Sequence, residues 1–307
     1  MLLTHVAEGI HPTGNRIIGM SATAPSKAVL ITGCSTGIGR STAEHLAAKG
    51  HTVYATARKV EAIADLGAKG CRTLALDVTD EASMQAAVDQ VTGEAGAVGV
   101  LVNNAGYSQS GALESLAMDD VRRQFETNVF GLLRMSQLCL PGMRSQGWGR
   151  IVNISSMGAN FVFPGGGIYH ATKYAVDAMS DALRFESKGF GVDVVIIQPG
   201  LIKTEFGETA AAGTPVGEDS DEAYAHFNAT VAATTKQAYE QGLISKLGAG
   251  PEAVAKAVEK AITASRPRAR YRVTASAKLL RQQRRLMTDG MWDAMMRTQF
   301  PQPGKRR

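Results

Sequence analysis

Tyr169 and Lys173 are the residues of this sequence whose types and spacing most directly suggest chemistry. Residues four apart lie one turn apart on the same face of a helix, and the run from Tyr169 to about Glu186 has a helical pattern. An ammonium beside a phenol stabilises the phenolate, which predicts that Lys173 lowers the pKa of Tyr169 from its usual value of about 10. A phenol tuned in this way exchanges a proton with a carbonyl or carbinol oxygen. The pair alone is also typical of an ordinary surface helix, so the surrounding elements must decide.

A glycine-rich stretch near the start of the predicted domain has the pattern of a phosphate-binding turn. The apolar run Ala28–Ile31 predicts a buried parallel strand, and Gly-x-x-x-Gly-x-Gly at residues 33–39 leads into a helical stretch that ends near Lys49. Glycines between a strand and a helix let backbone N–H groups approach a phosphate at the helix N-terminus. We therefore predict a dinucleotide site, rather than a plain glycine turn, at Gly33, Ser35, Thr36, Gly37, Ile38 and Gly39.

The residues after the second predicted strand, Thr52–Ala57, indicate which dinucleotide binds. Folds that prefer NAD place a carboxylate about 20 residues after the glycines. Here Arg58 follows the strand, and no Asp or Glu occurs between positions 44 and 61. A guanidinium pairs well with a 2′-phosphate, and the hydroxyls of Ser35 and Thr36 add donors. The sequence predicts NADP(H) as the cofactor, and the alternative is that Arg58 is solvated and NAD(H) binds as well.

Two more predicted strands end at the same crevice, because the carboxyl ends of parallel strands meet at one edge of a sheet. Leu74–Val78 carries Asp77, which we expect to accept a hydrogen bond from the adenine amino group unless it is a helix cap. Val98–Val102 leads into Asn-Asn-Ala-Gly at residues 103–106. Small residues there let the backbone lie under the cofactor ribose, and asparagine amides can join neighbouring strands. The alternative is a loop of turn-favouring residues.

The centre of the chain adds a helix, a strand and a loop. Residues from about Asp119 to Ser145 have a helical period, and Asn128 within them is a mediocre helix former that is either kept for hydrogen bonding or merely tolerated. Arg150–Ser156 predicts a fifth strand, which brings Ser156 to the crevice. The following residues, 157–168, are rich in glycine and apolar residues and predict a loop that lines a pocket.

A sixth predicted strand, Val192–Ile197, ends in Pro199 and Gly200, a turn suited to form a wall of the cofactor site. Residues 205–250 are small, polar and glycine-containing around two weak helical pieces. They predict a substrate lid, and the alternative is a surface insertion.

Composition excludes several classes of protein. With 307 residues, 44% of them hydrophobic and 20% charged, the chain can bury a large core, and no apolar run approaches the roughly 18 residues of a membrane span. The cysteines, Cys34, Cys71 and Cys139, show no metal spacing and suit free thiols, so we predict no metal and a cytoplasmic location. Residues 1–25 lack a secretory pattern and predict a flexible leader, with Met20 as an alternative start.

The net charge of +5 belongs to the end of the chain. Residues 266–307 hold 12 Lys or Arg and 2 Asp or Glu, so the remainder is acidic overall. Apolar residues interleave with arginines in a basic amphipathic extension, residues 276–307. This extension covers the active site or a subunit interface, lies on an anionic membrane surface, or is a solvated basic face. Nucleic acid is not predicted as a partner, because the folded domain has no basic patch.

Taken together, the motifs resemble the short-chain dehydrogenase/reductase family over roughly residues 27–275, in the family's order and at its spacings. The resemblance is closest to the single-domain branch, in the neighbourhood of hydroxysteroid and retinol dehydrogenases. It implies an α/β fold with a doubly wound, Rossmann-like parallel sheet as a single domain, residues 26–275, with a helical lid and a C-terminal extension. The motifs that carry it are Thr32-Gly33-x-x-x-Gly37-x-Gly39, Asp77, Asn103-Asn104-Ala105-Gly106, Asn128, Ser156, Tyr169-x-x-x-Lys173 and Pro199-Gly200.

The same resemblance implies a catalytic role for each matching polar residue. Tyr169 is the general acid/base, and Lys173 lowers its pKa and binds the nicotinamide ribose. Ser156 holds the substrate oxygen, and Asn128 holds a water that connects Lys173 to solvent. Arg58 takes the position that the family uses for the 2′-phosphate. The further cofactor contacts that the resemblance implies are Val78, Asn104, Ala105, Gly106, Pro199, Gly200, Ile202 and Thr204.

The predicted function is that of an NADP(H)-dependent oxidoreductase that interconverts a carbonyl and a primary or secondary alcohol by hydride transfer. Tyr107, Phe161, Val162, Phe163 and Ile168 favour a bulky apolar substrate of steroid, retinoid or lipid type, unless they belong to the core. One alternative is the same chemistry on a small polar ketone. Another is a non-catalytic NADP(H) sensor, which has no need of a complete catalytic set. The resemblance also implies a homodimer or homotetramer through the helices that contain Asn128 and Tyr169.

Overall fold

A parallel β-sheet forms the centre of the molecule. The computed structural model describes residues 24–216, 221–240 and 247–304. Within these ranges the sheet has seven strands in the order β3-β2-β1-β4-β5-β6-β7, and each pair of neighbours is parallel. The strands are β1 (Val29–Ile31), β2 (Val53–Ala57), β3 (Arg72–Ala75), β4 (Val100–Asn103), β5 (Gly149–Ile154), β6 (Val192–Gln198) and β7 (Arg270–Arg272).

Helices cover both faces of this sheet. They are α1 (Gly37–Ala48), α2 (Asp65–Ala68), α3 (Glu81–Ala95), α4 (Met118–Phe125), α5 (Gly131–Ser145), α6 (Gly167–Ser187), α7 (Phe206–Ala212), α8 (Ala225–Glu240), α9 (Pro251–Thr263), α10 (Ala275–Leu286) and α11 (Asp289–Arg297). One apolar core joins α1 and α9 to the sheet. A second core joins α3 and α5 to the opposite face. None of the helices in the described ranges is long and apolar enough to cross a bilayer.

The strand order places the ligand crevice. Strand β1 lies between β2 and β4, so the chain changes direction across the sheet at this strand. In a doubly wound sheet, the carboxyl ends of the strands at such a switch point border the binding crevice. Helices bury both faces of the central strands, so β1, β2, β4 and β5 are largely apolar and buried throughout. The predicted fold class is confirmed.

Most predicted elements lie within two residues of the observed bounds, and two differ by more. Strand β3 ends at Ala75, whereas the prediction continued it to Val78. The backbone N–H of Leu76 still donates to the carbonyl of Ala57, and the chain then turns so that Asp80 caps α3. The single predicted helix over residues 119–145 is instead α4, a π-helical turn (Glu126–Phe130) and α5 in succession.

The C-terminal extension packs on the domain. Residues of α10 and α11, among them Ala277, Trp292 and Met296, form an apolar cluster with Met157 and Phe161 from the loop after β5. Thr274 and Thr288 cap the two helices by accepting backbone hydrogen bonds.

Several predictions fall outside the described residues. They concern Met20, nearly all of the predicted leader, residues 217–220 and 241–246 of the predicted lid, and the last three residues of the extension. Within the described ranges all three cysteines are buried and free, as expected.

Candidate active site

A cavity of about 860 Å³ lies along the carboxyl ends of the central strands. Its wall includes the loops that follow β1, β2, β4, β5 and β6, together with parts of α6, α8 and the extension. Every residue predicted for catalysis or cofactor binding lines this cavity except Gly39 and Asn128.

The glycine turn after β1 lines the cavity and packs closely against the loop that follows β4. Gly33 has a φ of +73°, and a Cβ on it would lie 2.9 Å from the Cα of Ala105. Gly37 also has a positive φ and begins α1, whose first turn leaves backbone N–H groups without helical partners. Gly39 is buried under this turn, where a Cβ would collide with the carbonyl oxygen of Gly33. Gly39 therefore lets α1 pack against the turn and does not reach the cavity.

Hydrogen bonds join the loops after β1 and β4. The Nδ2 of Asn104 donates to the carbonyl oxygens of Thr32, at 2.9 Å, and Gly33, at 2.8 Å. The hydroxyl of Thr32 accepts from the backbone N–H groups of Asn104 and Ala105, both at 3.0 Å. The side chain of Asn104 thus fixes the floor of the cavity.

Arg58 lies at the rim of the cavity, directly after β2. Its side chain is exposed, and so are those of Ser35 and Thr36 in the turn before α1. Across the described ranges, no carboxylate forms an ion pair with Arg58. Its charge is therefore available to an anionic ligand.

Asp77 follows β3 and is half-buried on the same wall. Its Oδ1 accepts from the backbone N–H and the hydroxyl of Thr79, at 2.9 and 2.8 Å. The cap of α3 is Asp80, which accepts from the N–H groups of Ala82 and Ser83. The helix-cap alternative for Asp77 is therefore wrong.

Ser156, Tyr169 and Lys173 meet at the centre of the cavity. Ser156 follows β5, while Tyr169 and Lys173 lie one turn apart on α6, as the spacing predicted. The Nζ of Lys173 is buried, donates to the carbonyl oxygen of Ile154 at 3.0 Å, and lies 5.7 Å from the centre of the Tyr169 ring. The hydroxyl of Ser156 accepts from the N–H of Gly158 at 3.0 Å.

Burial governs the ionisation of this group. It raises the pKa of Tyr169 to about 12, because the phenolate loses its hydration, and the hydrogen bond with Ser156 opposes this only in part. Burial likewise lowers the pKa of Lys173 to about 8, although the negative charge of Asp177 acts in the opposite direction and raises it. The net pKa of Tyr169 is therefore raised and not lowered as predicted, because in the protein alone burial outweighs the stabilisation of the phenolate. A phenol with a raised pKa keeps its proton at neutral pH and is a proton donor.

Asn128 lies in the π-helical turn and holds the loop that follows β4. Its Oδ1 accepts from the N–H of Tyr107 at 3.1 Å, and its Nδ2 donates to the carbonyl oxygen of Tyr107 at 2.9 Å and to the hydroxyl of Thr172 at 3.1 Å. A Cβ on Gly106 would lie 3.0 Å from the Oδ1 of Asn128 and 3.7 Å from the Nζ of Lys173. The geometry thus gives Asn128 a positioning role beside Lys173.

Residues that the sequence interpretation missed hold the loop behind Ser156. The Nδ1 of His170 donates to the carbonyl oxygen of Gly158 at 2.8 Å, and burial lowers the pKa of this imidazole. The indole N–H of Trp292 donates to the carbonyl oxygen of Val162 at 3.1 Å, and its ring stacks on Phe163 at 6.0 Å. The extension therefore supports the active-site loop.

The predicted apolar walls are only partly present. Tyr107, Phe161 and Phe163 line the cavity. Val162 is 44% exposed and lies outside it, and Ile168 is not among the lining residues. The direction of successive side chains along an irregular loop follows no regular period, so the sequence did not show which of them point into the cavity. The predicted lid does contribute to the wall, through residues that include Phe206, Val231 and Tyr239. Leu280 and Phe300 of the extension also line the cavity, and the prediction did not name them.

Comparison with known proteins identifies the class. The family model for short chain dehydrogenases matches residues 27–214. The chain belongs to this family, and it is an oxidoreductase that interconverts carbonyls and alcohols. The rival interpretation as a non-catalytic sensor is therefore not supported.

Individual relatives agree with this assignment. The chain is 40% identical over 193 residues to a 3-ketodihydrosphingosine reductase of Bacteroides thetaiotaomicron, which covers 63% of this chain and 70% of that one. It is 34% identical over 275 residues to an NADPH-dependent 3-dehydrocapnine reductase of Ornithobacterium rhinotracheale, and the match covers 86% of this chain and 94% of that one. Among solved structures, a short-chain dehydrogenase from Streptomyces avermitilis superposes with a TM-score of 0.71 at 33% identity, covering 89% of this chain and 98% of that one.

Proposed function

We propose that this protein uses NADPH to reduce the carbonyl group of a bulky, largely apolar substrate, with the reverse oxidation by NADP+ as the same reaction run backwards. The observation that carries the proposal is the convergence of Ser156, Tyr169 and Lys173 in one cavity beside the glycine turn. Tyr169 and Ser156 would act on the substrate oxygen, and the glycine turn would hold the phosphates of the cofactor.

The residues present fit NADP(H). The glycine turn leaves a cradle beside the free N–H groups of α1, which suits a pyrophosphate. Arg58 is exposed at the rim without an acidic partner in the described ranges, which suits the 2′-phosphate. Within the described ranges the Oδ2 of Asp77 accepts no hydrogen bond from the protein, so it suits the adenine amino group. One relative is also named as NADPH-dependent.

The chain's own residues supply the proton chemistry. When bound, NADPH provides the hydride for the carbonyl carbon. The hydroxyl of Ser156 accepts from the N–H of Gly158, and its own O–H, which pairs with Tyr169 in the protein alone, can turn to donate to the carbonyl oxygen. Tyr169 is protonated at neutral pH and gives its proton to the same oxygen. The buried ammonium of Lys173 then stabilises the phenolate that is left, while Asn128 keeps the adjoining loop in place.

The substrate class follows from the cavity wall. Phe206 lies beside Tyr169, with 5.5 Å between the ring centres. Other apolar residues of the cavity wall are Phe161, Phe163, Leu280 and Phe300. Burying such surface favours a long or polycyclic apolar substrate over a small polar ketone. Two relatives, named as reductases of 3-ketodihydrosphingosine and 3-dehydrocapnine, are consistent with a lipid-like ketone.

We also propose an oligomer that buries one surface of α5 and α6. Phe185 on α6 is 85% exposed, and Phe130 immediately before α5 is also exposed, although large aromatic residues are rarely left in water. Light scattering on the purified protein measures the size of the oligomer, and a monomer would contradict the proposal.

The free buried thiols are consistent with a cytoplasmic location.

Contact of the extension with an anionic membrane surface is a further proposal. Leu279 and Leu286 of α10 are 56% and 74% exposed, and the exposed Lys278 and Arg285 lie on the adjoining side of the helix. Flotation with anionic liposomes, using wild type and a Leu279→Ser, Leu286→Ser double variant, tests this contact. Equal flotation of the two proteins would contradict it.

A substrate panel tests the proposed reaction. Loss of NADPH absorbance is followed with methyl ketones of increasing chain length, cyclic apolar ketones and short hydroxylated ketones. We expect kcat/KM to rise with apolar size and NADPH to be preferred to NADH. A preference for short polar ketones would contradict the substrate class, and no turnover of any carbonyl would contradict the function.

A further inference from the structure

The lid helix α8 presents an unexpectedly polar face to the cavity. Val231, Thr234, Thr235, Ala238 and Tyr239 all line it, and their spacing of three and four residues puts them on one face of the helix. Three of these five side chains carry a hydroxyl, and none carries a charge. The lid therefore offers hydrogen bonds to a substrate whose other contacts are apolar.

Tyr239 is the residue of this face that is best fixed in place. Its ring lies 6.5 Å from that of Phe206, which lies 5.5 Å from that of Tyr169, so one row of aromatic rings leads from the lid to the reaction centre. A Cβ on Gly207 would lie 2.6 Å from the Cγ of Tyr239, so the absence of a side chain at Gly207 makes room for this ring. The ring also packs against the cluster that joins the extension to the domain.

The hydroxyl of Tyr239 has no hydrogen-bond partner in the part of the chain that the structure describes. Burial raises the pKa of this phenol, with a smaller contribution from Tyr169 in the same direction. Tyr239 is therefore neutral at physiological pH and able both to donate and to accept. A substrate that fills the cavity displaces water from this hydroxyl, and leaving the hydroxyl without a hydrogen bond costs free energy. A substrate that forms a hydrogen bond with it is therefore favoured.

We propose that Tyr239 is a substrate-binding residue whose hydroxyl forms a hydrogen bond with an alcohol group of the substrate close to the reacting carbonyl. The inference rests on the proposed function and narrows its substrate class to hydroxyketones with a large apolar remainder. An uncharged alcohol fits best, because every side chain of the lid face is neutral. Tyr239 thereby orients the carbonyl toward Ser156 and Tyr169 and takes no part in the proton transfer.

The test compares Tyr239→Phe with wild type on matched pairs of ketones. The two members of a pair have the same chain length and differ only in a hydroxyl placed one, two or three carbons from the carbonyl. For the best hydroxyketone we expect Tyr239→Phe to lower kcat/KM about 3- to 10-fold, mainly through KM, which is the effect of one neutral hydrogen bond. The plain ketone should lose much less. Calorimetry with the NADP+-loaded protein gives a second readout, a weaker affinity for the same hydroxyketone.

Tyr224→Phe is the matched control. Tyr224 precedes α8, hydrogen-bonds Glu114 and does not line the active-site cavity. Its loss should leave the ratio between the paired ketones as it is in wild type.

An equal loss on both members of every pair would mean that Tyr239 has only a structural role, and it would overturn the inference. Unchanged binding and turnover of every hydroxyketone would also overturn it. If wild type reduces no ketone at all, it is the proposed function that fails, so the two failures are distinguishable.

Discussion

Replacing Arg58 by alanine tests the choice of cofactor quantitatively. A charge-assisted hydrogen bond between a guanidinium and a phosphate contributes about 1.5–3 kcal/mol. Arg58 is exposed at the rim of the cavity, where water screens the interaction, so the lower end of this range applies. About 1.5 kcal/mol corresponds to a loss of about 10-fold in kcat/KM for NADPH. NADH has no 2′-phosphate, so its kcat/KM should change little.

The assay measures kcat/KM for both cofactors with one ketone at low and at high salt. Lys59→Ala is the matched control, because Lys59 is the exposed cationic neighbour of Arg58 and does not line the cavity. We expect the preference for NADPH to fall in Arg58→Ala, to persist in Lys59→Ala, and to weaken in wild type as salt rises. A cofactor preference unchanged by Arg58→Ala, or a wild-type preference for NADH, would refute the assignment of the 2′-phosphate site.

Two further predictions concern the support and the charge of the site. Trp292→Ala removes a buried indole that holds the Val162 carbonyl and stacks on Phe163, so we expect about 3 kcal/mol lower stability in urea unfolding and a raised KM for the ketone. Wild-type values of both would contradict the supporting role of the extension. Burial sets the folded pKa of Lys173 at about 8, below its unfolded value, so its charge is present below this pH and lost above it. The pH profile of kcat/KM for reduction should therefore fall as pH rises through about 8, and a flat profile there would contradict the need for the ammonium.

Much of the site was predictable because its residues lie at regular helical spacing or directly after buried apolar strands. The four-residue spacing of Tyr169 and Lys173 requires a helix to bring them together, and α6 provides it. Ser156 and the glycine turn follow buried apolar strands, and parallel strands deliver their carboxyl ends to one edge. The predicted end of β3 was wrong, because the turn at Asp77 depends on hydrogen bonds within the loop that the apolar pattern does not show.

The remainder depends on contacts between distant parts of the chain. The raised pKa of Tyr169 arises from burial by surrounding elements, which residue spacing does not reveal. The bond from Trp292 to the carbonyl of Val162 joins residues 130 positions apart. Tyr239 lies in a weakly helical, polar segment, and only its packing beside Phe206 brings it to the cavity.

The central claim is that the phenol of Tyr169 donates the proton in the reaction. Single-turnover reduction by Tyr169→Phe, with NADPH already bound and its affinity measured separately by fluorescence, tests this most directly. Loss of the general acid should slow the chemical step by about 10²- to 10⁴-fold while NADPH still binds. A variant that binds NADPH and reduces the ketone at close to the wild-type rate would contradict the account.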